Sequence, residues 1–374
     1  LSKLTTLKLQ HFRNIDQACL EFGEGLNLIV GDNAAGKTAL IEALWTLASG
    51  RSFRTAKPQQ LIQFEHHELV IFCQLVEQEQ TFNLGLSRQP DKLTLKLNGE
   101  TLKTQAQLSA HLPLQLLTPE SHRLLEEGPK ARRQFMDWGC FHQFKAFLPA
   151  WRHYQRALKQ RNHALKKQLP AQQIQLWDGP LIEAAVEIDE MRSDYIEQLT
   201  PFVKEFCQAL MPELEAELAC QYLAGWPKTI HAKPVDGFAD VIHQQFAKDQ
   251  LNGHTQYGSH RSDIKFKFGG QEAMLTLSRG QQKLFVCALL LAQACLYQST
   301  SHHSVIMLID DLPAELDAHH RTTLLKLLDV LDIQHILTST STDLIPILNA
   351  QKTRVWQINK GRIHQTMPDD PTNT

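Results

Sequence analysis

Gly31-Asp32-Asn33-Ala34-Ala35-Gly36-Lys37-Thr38 has the spacing Gly, four residues, Gly-Lys-Ser/Thr. The residues on either side decide the fold. Ahead of it, Leu26-Asn27-Leu28-Ile29-Val30 predicts a short buried strand. After it, Ala39-Leu40-Ile41-Glu42-Ala43-Leu44 predicts the start of a helix. A strand that turns through glycines into a helix aims several backbone N–H groups at one anion. Such a cradle suits a nucleotide's phosphates, with Lys37 reaching the outer phosphates and Thr38 holding Mg²⁺. A chance glycine-rich turn would lack this strand-loop-helix order.

The chain has 374 residues, enough for two or three lobes around a large core. It carries 38 Lys+Arg against 40 Asp+Glu, so bulk charge does not mark a nucleic-acid binder and any such surface must be local. The 7 cysteines are dispersed without paired spacing, which favours free thiols over a disulfide framework or a zinc site. The longest apolar stretch, 284–296, is short for a membrane span and is interrupted by Gln293. No secretory signal is legible at the start, and a cytoplasmic location is expected.

Three stretches follow from the patterning. The first is β-rich, with strands expected at 4–9, 18–22, 26–30, 69–76, 81–87 and 93–97, the last closed by Asn98-Gly99. The second, from Glu120 to about Tyr297, is mostly helical, with a less regular interval near 225–270. The third returns to strands at 305–309, 334–337 and 355–358 with a helix at 319–331. Strands alternating with helices predict a parallel sheet in an α/β fold.

Two further motifs complete a nucleotide site. Val305-Ile306-Met307-Leu308-Ile309 ends in Asp310-Asp311. At the end of a buried parallel strand, Asp310 would face the Gly-rich loop and share Mg²⁺ with Thr38, while Asp311 would orient the attacking water. Leu277-Ser278-Arg279-Gly280-Gln281-Gln282 precedes a long apolar helix expected from Lys283 to Leu296. A Ser and a Gly at a helix N-terminus present N–H groups to an anion, and Ser278 also reads as an ordinary N-cap.

The order of these motifs, continued by Ala314-Glu315-Leu316-Asp317, resembles ABC-type ATPases. The resemblance implies an ATPase head made of 1–118 (first part of the ATPase lobe), 119–302 (an inserted helical lobe carrying the signature) and 303–374 (second part of the ATPase lobe). It implies that Ser278, Arg279, Gly280 and Gln281 act on nucleotide held by a second copy, that Glu315 and Asp317 belong to a loop at the dimer interface, and that Thr340 occupies the switch position. It also implies nucleotide contacts from the Gly31-to-Thr38 loop and Ala39, with Lys37, Asp311 and Thr340 in catalytic roles. Gln115 would be the lobe-connecting glutamine. Many ABC proteins carry His at the switch and Glu in place of Asp311; both departures point to slow hydrolysis.

The family narrows further. Thr118-Pro119-Glu120, the stretch from Leu124-Leu125-Glu126-Glu127-Gly128-Pro129 through Asp137-Trp138-Gly139, and Leu158-Lys159-Gln160-Arg161-Asn162 resemble the RecF family. So do Phe12-Arg13-Asn14, which adds Arg13 and Asn14 to the nucleotide contacts, and Gly50-Arg51-Ser52-Phe53-Arg54. The resemblance implies an ATP-dependent homodimer that binds duplex DNA beside single-stranded gaps and works with RecR, RecO and RecA. An SMC-like structural ATPase would need long heptads, and a transporter ATPase a membrane partner and a shorter gap between loop and signature.

From Ser121 to Leu169 there are eleven Lys/Arg against three acids. Arg152, Arg156, Lys159 and Lys166 recur on one helix face and Tyr154, Leu158 and Leu165 on another. A basic face of this kind tracks phosphates without reading sequence. A solvated face would read the same way, and the family resemblance favours DNA: Arg132, Arg133, Arg152, Arg156 and Lys159 are the expected contacts, with Arg51 and Arg54, beside the nucleotide, as weaker candidates that also read as support for the lobe. The pairs His66-His67, His302-His303 and His319-His320 diverge on any regular element and are read as surface residues.

Overall fold

The computed structural model describes residues 2–228 and 233–366, so residues 367–374 of the third stretch lie outside them. The chain packs as two units. One comprises 1–121, 209–211 and 283–374; the other comprises 122–208 and 212–282. The helical lobe was expected to run to 302, but its boundary falls at 282/283, inside the long helix Arg279–Ser301.

The first unit holds two sheets with a helix between them. One sheet runs, in spatial order, Arg362–Thr366, Arg354–Asn359, Leu26–Val30, His335–Ser339, Ile306–Ile309 and Leu114–Leu117, parallel except for the first strand. All five residues of Leu26–Val30 are buried, as the apolar run demanded of a central parallel strand. The other sheet is an antiparallel meander whose main strands are Ile15–Glu21, Lys3–Phe12, Leu69–Glu77, Gln80–Arg88 and Leu93–Leu97. Its strands alternate buried and solvent-facing residues, as in Lys3–Phe12, because only one face meets a core. The helix Lys37–Ser49 is buried on nearly all sides. Ala39, Leu40, Leu44 and Leu47 share one apolar cluster with Leu4, Leu7 and Ile71 of the meander and with Ile29, Leu308 and Ile336 of the parallel sheet. Packing from both sheets therefore fixes the helix whose first turn carries Lys37 and Thr38.

The second unit contains the helices Pro129–Gln143, Phe147–Lys166, Asp178–Leu210 (but for its last two residues) and Pro234–Asn252. It also has a small antiparallel sheet of Leu218–Leu223, Asp263–Phe268 and Gln271–Glu272. The interval expected to be irregular, near 225–270, thus contains the helix Pro234–Asn252 and the sheet's central strand Asp263–Phe268. A fully buried arginine ties this unit together. Arg161 donates from Nε to Asp178 Oδ1 at 2.7 Å and from Nη1 to Asp249 Oδ2 at 2.6 Å and Thr255 Oγ1 at 2.8 Å. Asn162 Oδ1 accepts from the Thr255 amide at 2.8 Å, so consecutive residues close the knot. Arg161→Ala strands two buried carboxylates, and such deletions cost about 3–5 kcal/mol. The expected outcome is a fall in denaturation midpoint, with the far-ultraviolet circular dichroism transition shifted to lower urea.

The helix Arg279–Ser301 corrects one expectation. It is 23 residues long and apolar enough by length and composition to cross a bilayer, but 72% of its apolar window is buried within the protein, as in the core helix of a globular fold. All seven cysteines are free thiols.

Candidate nucleotide site and the placement of the basic residues

The loop 31–36 leaves the strand Leu26–Val30 at its C-terminal end and enters the helix Lys37–Ser49. Its glycines are sterically required. A Cβ on Gly31 would lie 2.3 Å from the Ile358 carbonyl oxygen, and Gly36 has φ +117°, where side chains are strained. The first N–H groups of a helix have no intrahelical acceptor, so they face outward for an anion. Lys37 is 9% exposed and curls over the loop, donating from Nζ to the carbonyls of Gly31 at 2.6 Å and Asp32 at 2.9 Å. Burial pulls its pKa below the ordinary lysine value, and the carboxylates of Asp311, Asp310 and Asp32 pull it back.

Asp310 and Thr38 meet although they are far apart in sequence: Thr38 Oγ1 donates to Asp310 Oδ1 at 3.0 Å. The strand order brings in a third residue that was not expected there. His335–Ser339 lies between the strand leading to the loop and the strand leading to Asp310. Ile309 pairs with Leu337, so Thr338 stands level with Asp310. Thr338 Oγ1 donates to Asp310 Oδ1 at 2.8 Å and accepts from the Asp311 amide at 2.8 Å. The expected switch residue, Thr340, lies beyond the strand end and is exposed. The strand runs two residues further than expected, to Ser339.

Burial raises the Asp310 pKa above the usual carboxylate value, and the hydroxyls of Thr338 and Thr38 oppose that rise. Asp311 sits at φ +52°, a left-handed conformation unusual for a side chain with a Cβ, held there by the Thr338 bond. These residues line a cleft of about 690 Å³ together with Arg13, Asn14, Asn33, Ala34, Gly36, Ala39, Arg54, Gln60, Ile62 and Phe64. The carboxylate of Asp310 and the hydroxyl of Thr38 are hard oxygen donors side by side, the set that Mg²⁺ takes when it is shared with phosphates.

Other expected residues fall outside the cleft or are engaged elsewhere. Asp32 and Ala35 do not line it; each contributes a carbonyl, Asp32 to Lys37 and Ala35 to the Gly361 amide at 2.9 Å. Asn14 Nδ2 bridges the carbonyls of Ala34 at 3.4 Å and Ala35 at 3.3 Å, so it braces the loop. Arg13 lines the cleft but commits its guanidinium to Glu42, at 3.0 and 2.6 Å. Glu42 is fully buried one turn beyond Thr38, and it also receives Ser52 Oγ and stands 3.6 Å from Arg54 Nη1. Gln115 is buried and donates to Gln293 Oε1 at 2.8 Å. It pairs with Met307, three residues before Asp310. That places it about 10 Å back along the strand from the end where the cleft opens, at ~3.3 Å per residue.

The signature forms a reciprocal cap. Ser278 Oγ accepts from the Gln281 amide at 3.3 Å, and Gln281 Oε1 accepts from the Ser278 amide at 3.0 Å. Ser278, Arg279 and Gly280 are exposed. Glu315, expected at an interface, turns inward: its side chain is 5% exposed and lies 3.3 Å from Lys283 Nζ. Asp317 stays at the surface and caps the helix Ala318–Val330, accepting from the His320 amide at 3.0 Å.

The basic residues divide sharply. Arg132 makes a bidentate pair with Asp263 at 2.8 and 3.0 Å, and Arg133 donates to the Ser262 carbonyl at 2.8 Å. Arg132 and Arg133, expected as DNA contacts, are thus engaged within their own unit, as Arg161 is. Arg152, Arg156, Lys159 and Lys166 are exposed on the helix Phe147–Lys166, while Tyr154, Leu158 and Leu165 are buried, as the spacing predicted. Arg51 and Arg54 are exposed near Arg88, around a second depression of about 470 Å³, and Arg54 also lines the P-loop cleft.

His66 comes to rest on His11, ring centroids 3.7 Å apart and 17° from parallel, with Asp16 Oδ1 3.6 Å from His11 Nε2. Imidazole lone pairs lie in the ring plane, so stacked rings aim them side by side and not at one ion. The sequence reading missed Glu42, Gln60, Ile62, Phe64 and Thr338. Only Thr338 had a signal, as part of Thr338-Ser339-Thr340.

The chain matches the family model described as RecF/RecN/SMC N terminal domain over residues 3–363. A DNA replication and repair protein RecF from Hydrogenovibrio crunogenus is 68% identical over 363 residues, 97% of this chain and 99% of the relative. Among solved structures, the recombination mediator protein RecF-ATP of the RecFOR pathway superposes with a TM-score of 0.87 at 25% identity, covering 98% of each chain. An Smc head domain from Pyrococcus furiosus gives a TM-score of 0.59 at 15% identity, covering 98% of this chain and 97% of that one, and shares the fold. The architecture is thus that of an ATPase head, and the sequence match extends along nearly its whole length: this chain belongs to the RecF family of DNA replication and repair proteins.

Proposed function

We propose that this chain is a DNA-binding ATPase of recombinational repair, in which ATP closes a homodimer on duplex DNA beside single-stranded gaps. The observation that carries the reading is the convergence of Lys37, Thr38, Asp310, Asp311 and Thr338 at the carboxyl ends of parallel strands, where α/β sheets bind ligands. The loop amides and Lys37 hold the phosphate chain. Thr38 and Asp310 would hold Mg²⁺, which when bound neutralises charge on the β- and γ-phosphates. Asp311 orients the attacking water, and Thr338 holds the Asp310 carboxylate and the Asp311 backbone in place. Ser278 and Gly280 of a second copy close the site over the γ-phosphate, so two nucleotides are bound between two chains. Asp311 in place of a more extended glutamate, and a threonine where an imidazole often stands, make hydrolysis slow. A slow ATPase serves as a timer for a grip on DNA. The action is cytoplasmic, with RecR as the direct partner and RecO and RecA further along the pathway.

The exposed row Arg152, Arg156, Lys159 is the favoured DNA contact. Neutralising three phosphates releases their counterions, with a slope of log K against log salt near −0.9 per contact. Replacing all three by alanine therefore flattens that slope by about 2.7 and weakens every duplex sequence alike. Fluorescence anisotropy with labelled gapped duplex across a salt series measures it. An unchanged slope places DNA on another face.

A further inference from the structure

We propose that Phe64 is the platform on which the nucleotide base stacks, so that this chain selects its nucleotide by the flat area of the base. The inference rests on the cleft being a nucleotide site. Phe64 is 87% exposed, yet it lines the cleft that begins at the P-loop, next to Ile62. The segment that presents it is anchored on both sides. The Arg13 amide donates to the Leu61 carbonyl at 2.8 Å, the Gln63 amide donates to the His11 carbonyl at 2.9 Å, and Phe12 bridges Ile62. Just beyond, the His66 amide donates to the Gln63 carbonyl at 3.1 Å and Glu65 adopts φ +66°, closing a turn directly after the ring. Leu251 and Val330 are about as exposed; what distinguishes Phe64 is that an ordered backbone holds its ring in the lining of the cleft.

The lining of the cleft combines two chemistries. The loop with Lys37, Thr38 and Asp310 suits phosphates and their metal. Ile62 and Phe64, from the segment that also brings Gln60, offer apolar surface that cannot serve phosphate. A ligand matching both has a charged chain at one end and a planar ring at the other. Stacking is tolerant of base identity because every base has a π-face, and a two-ring purine covers more of the phenyl face than a one-ring pyrimidine. ATP and GTP should therefore bind more tightly than CTP and UTP, through Phe64 alone.

Calorimetric titration of the parent chain, Phe64→Ala and Phe64→Trp with ATP and with inorganic tripolyphosphate tests this. Stacking removed by alanine lowers affinity roughly 5- to 100-fold. Phe64→Ala is expected to lose that factor for ATP and nothing for tripolyphosphate. Phe64→Trp is expected to keep ATP affinity and to show an emission change with ATP, beyond that of the parent, that tripolyphosphate does not produce. Equal ATP affinity in Phe64→Ala and the parent would overturn the inference. So would an equal loss for both ligands. A parent chain that binds neither ligand would instead overturn the nucleotide reading itself.

Discussion

Lys37→Ala is expected to bind ATP at least about 100-fold more weakly than the parent chain and to stay monomeric when Mg-ATP is added. The ammonium is held over the loop by two carbonyls; burial lowers its pKa, and the carboxylates of Asp311, Asp310 and Asp32 oppose that fall. Reaching two phosphates, it makes charge-assisted hydrogen bonds worth about 1.5–3 kcal/mol each. Two of them correspond to at least about two decades in affinity. Alanine is well tolerated in the first turn of a helix, and removing a desolvated cation relieves its burial cost, so the variant should melt close to the parent. Equilibrium dialysis with labelled ATP reads the affinity and sedimentation velocity reads the association. Retained ATP binding would remove the loop from the site.

Ser278→Arg is expected to separate binding from assembly. ATP affinity should remain within about threefold of the parent, because Ser278 does not line the cleft of its own chain. The ATP-dependent dimer should be lost, since an exposed position meant to meet a partner's γ-phosphate would carry a long side chain. The substitution also removes the Ser278–Gln281 cap, worth about 0.5–2 kcal/mol, but the helix it starts is 23 residues long and largely buried, so the fold should survive. Sedimentation velocity with Mg-ATP distinguishes the cases. A Ser278→Arg chain that dimerises normally contradicts a site composed from two copies.

The parts of this molecule written contiguously were legible. The P-loop, its strand and its helix were read correctly because all three sit within 26–44 and each has its own local pattern. The apolar run ending in Asp310 and the period of the Phe147–Lys166 helix were legible for the same reason. What failed was anything set by a partner distant in sequence. Arg132, Arg133 and Arg161 belong to a basic stretch, and charge counting cannot see that Asp263, Ser262, Asp178 and Asp249 would claim them. Thr338 reaches Asp310 only because the strand His335–Ser339 is inserted beside Ile306–Ile309, a pairing that no local pattern announces. Gln115 has no local mark of being buried against Gln293. Phe64 and Ile62 lack a motif altogether; their place at the cleft comes from the pairing of 61–63 with 11–13, distant in sequence.

The central claim is that nucleotide in the P-loop cleft governs a grip on DNA. Anisotropy of labelled gapped duplex, titrated with the parent chain in the presence and absence of Mg-ATP, tests it most directly. Coupling between two ligands typically amounts to about 5- to 150-fold. The account predicts at least about tenfold tighter binding with ATP, lost in Lys37→Ala and declining as salt rises. Equal affinity with and without ATP in the parent, or an ATP effect that survives in Lys37→Ala, would contradict it.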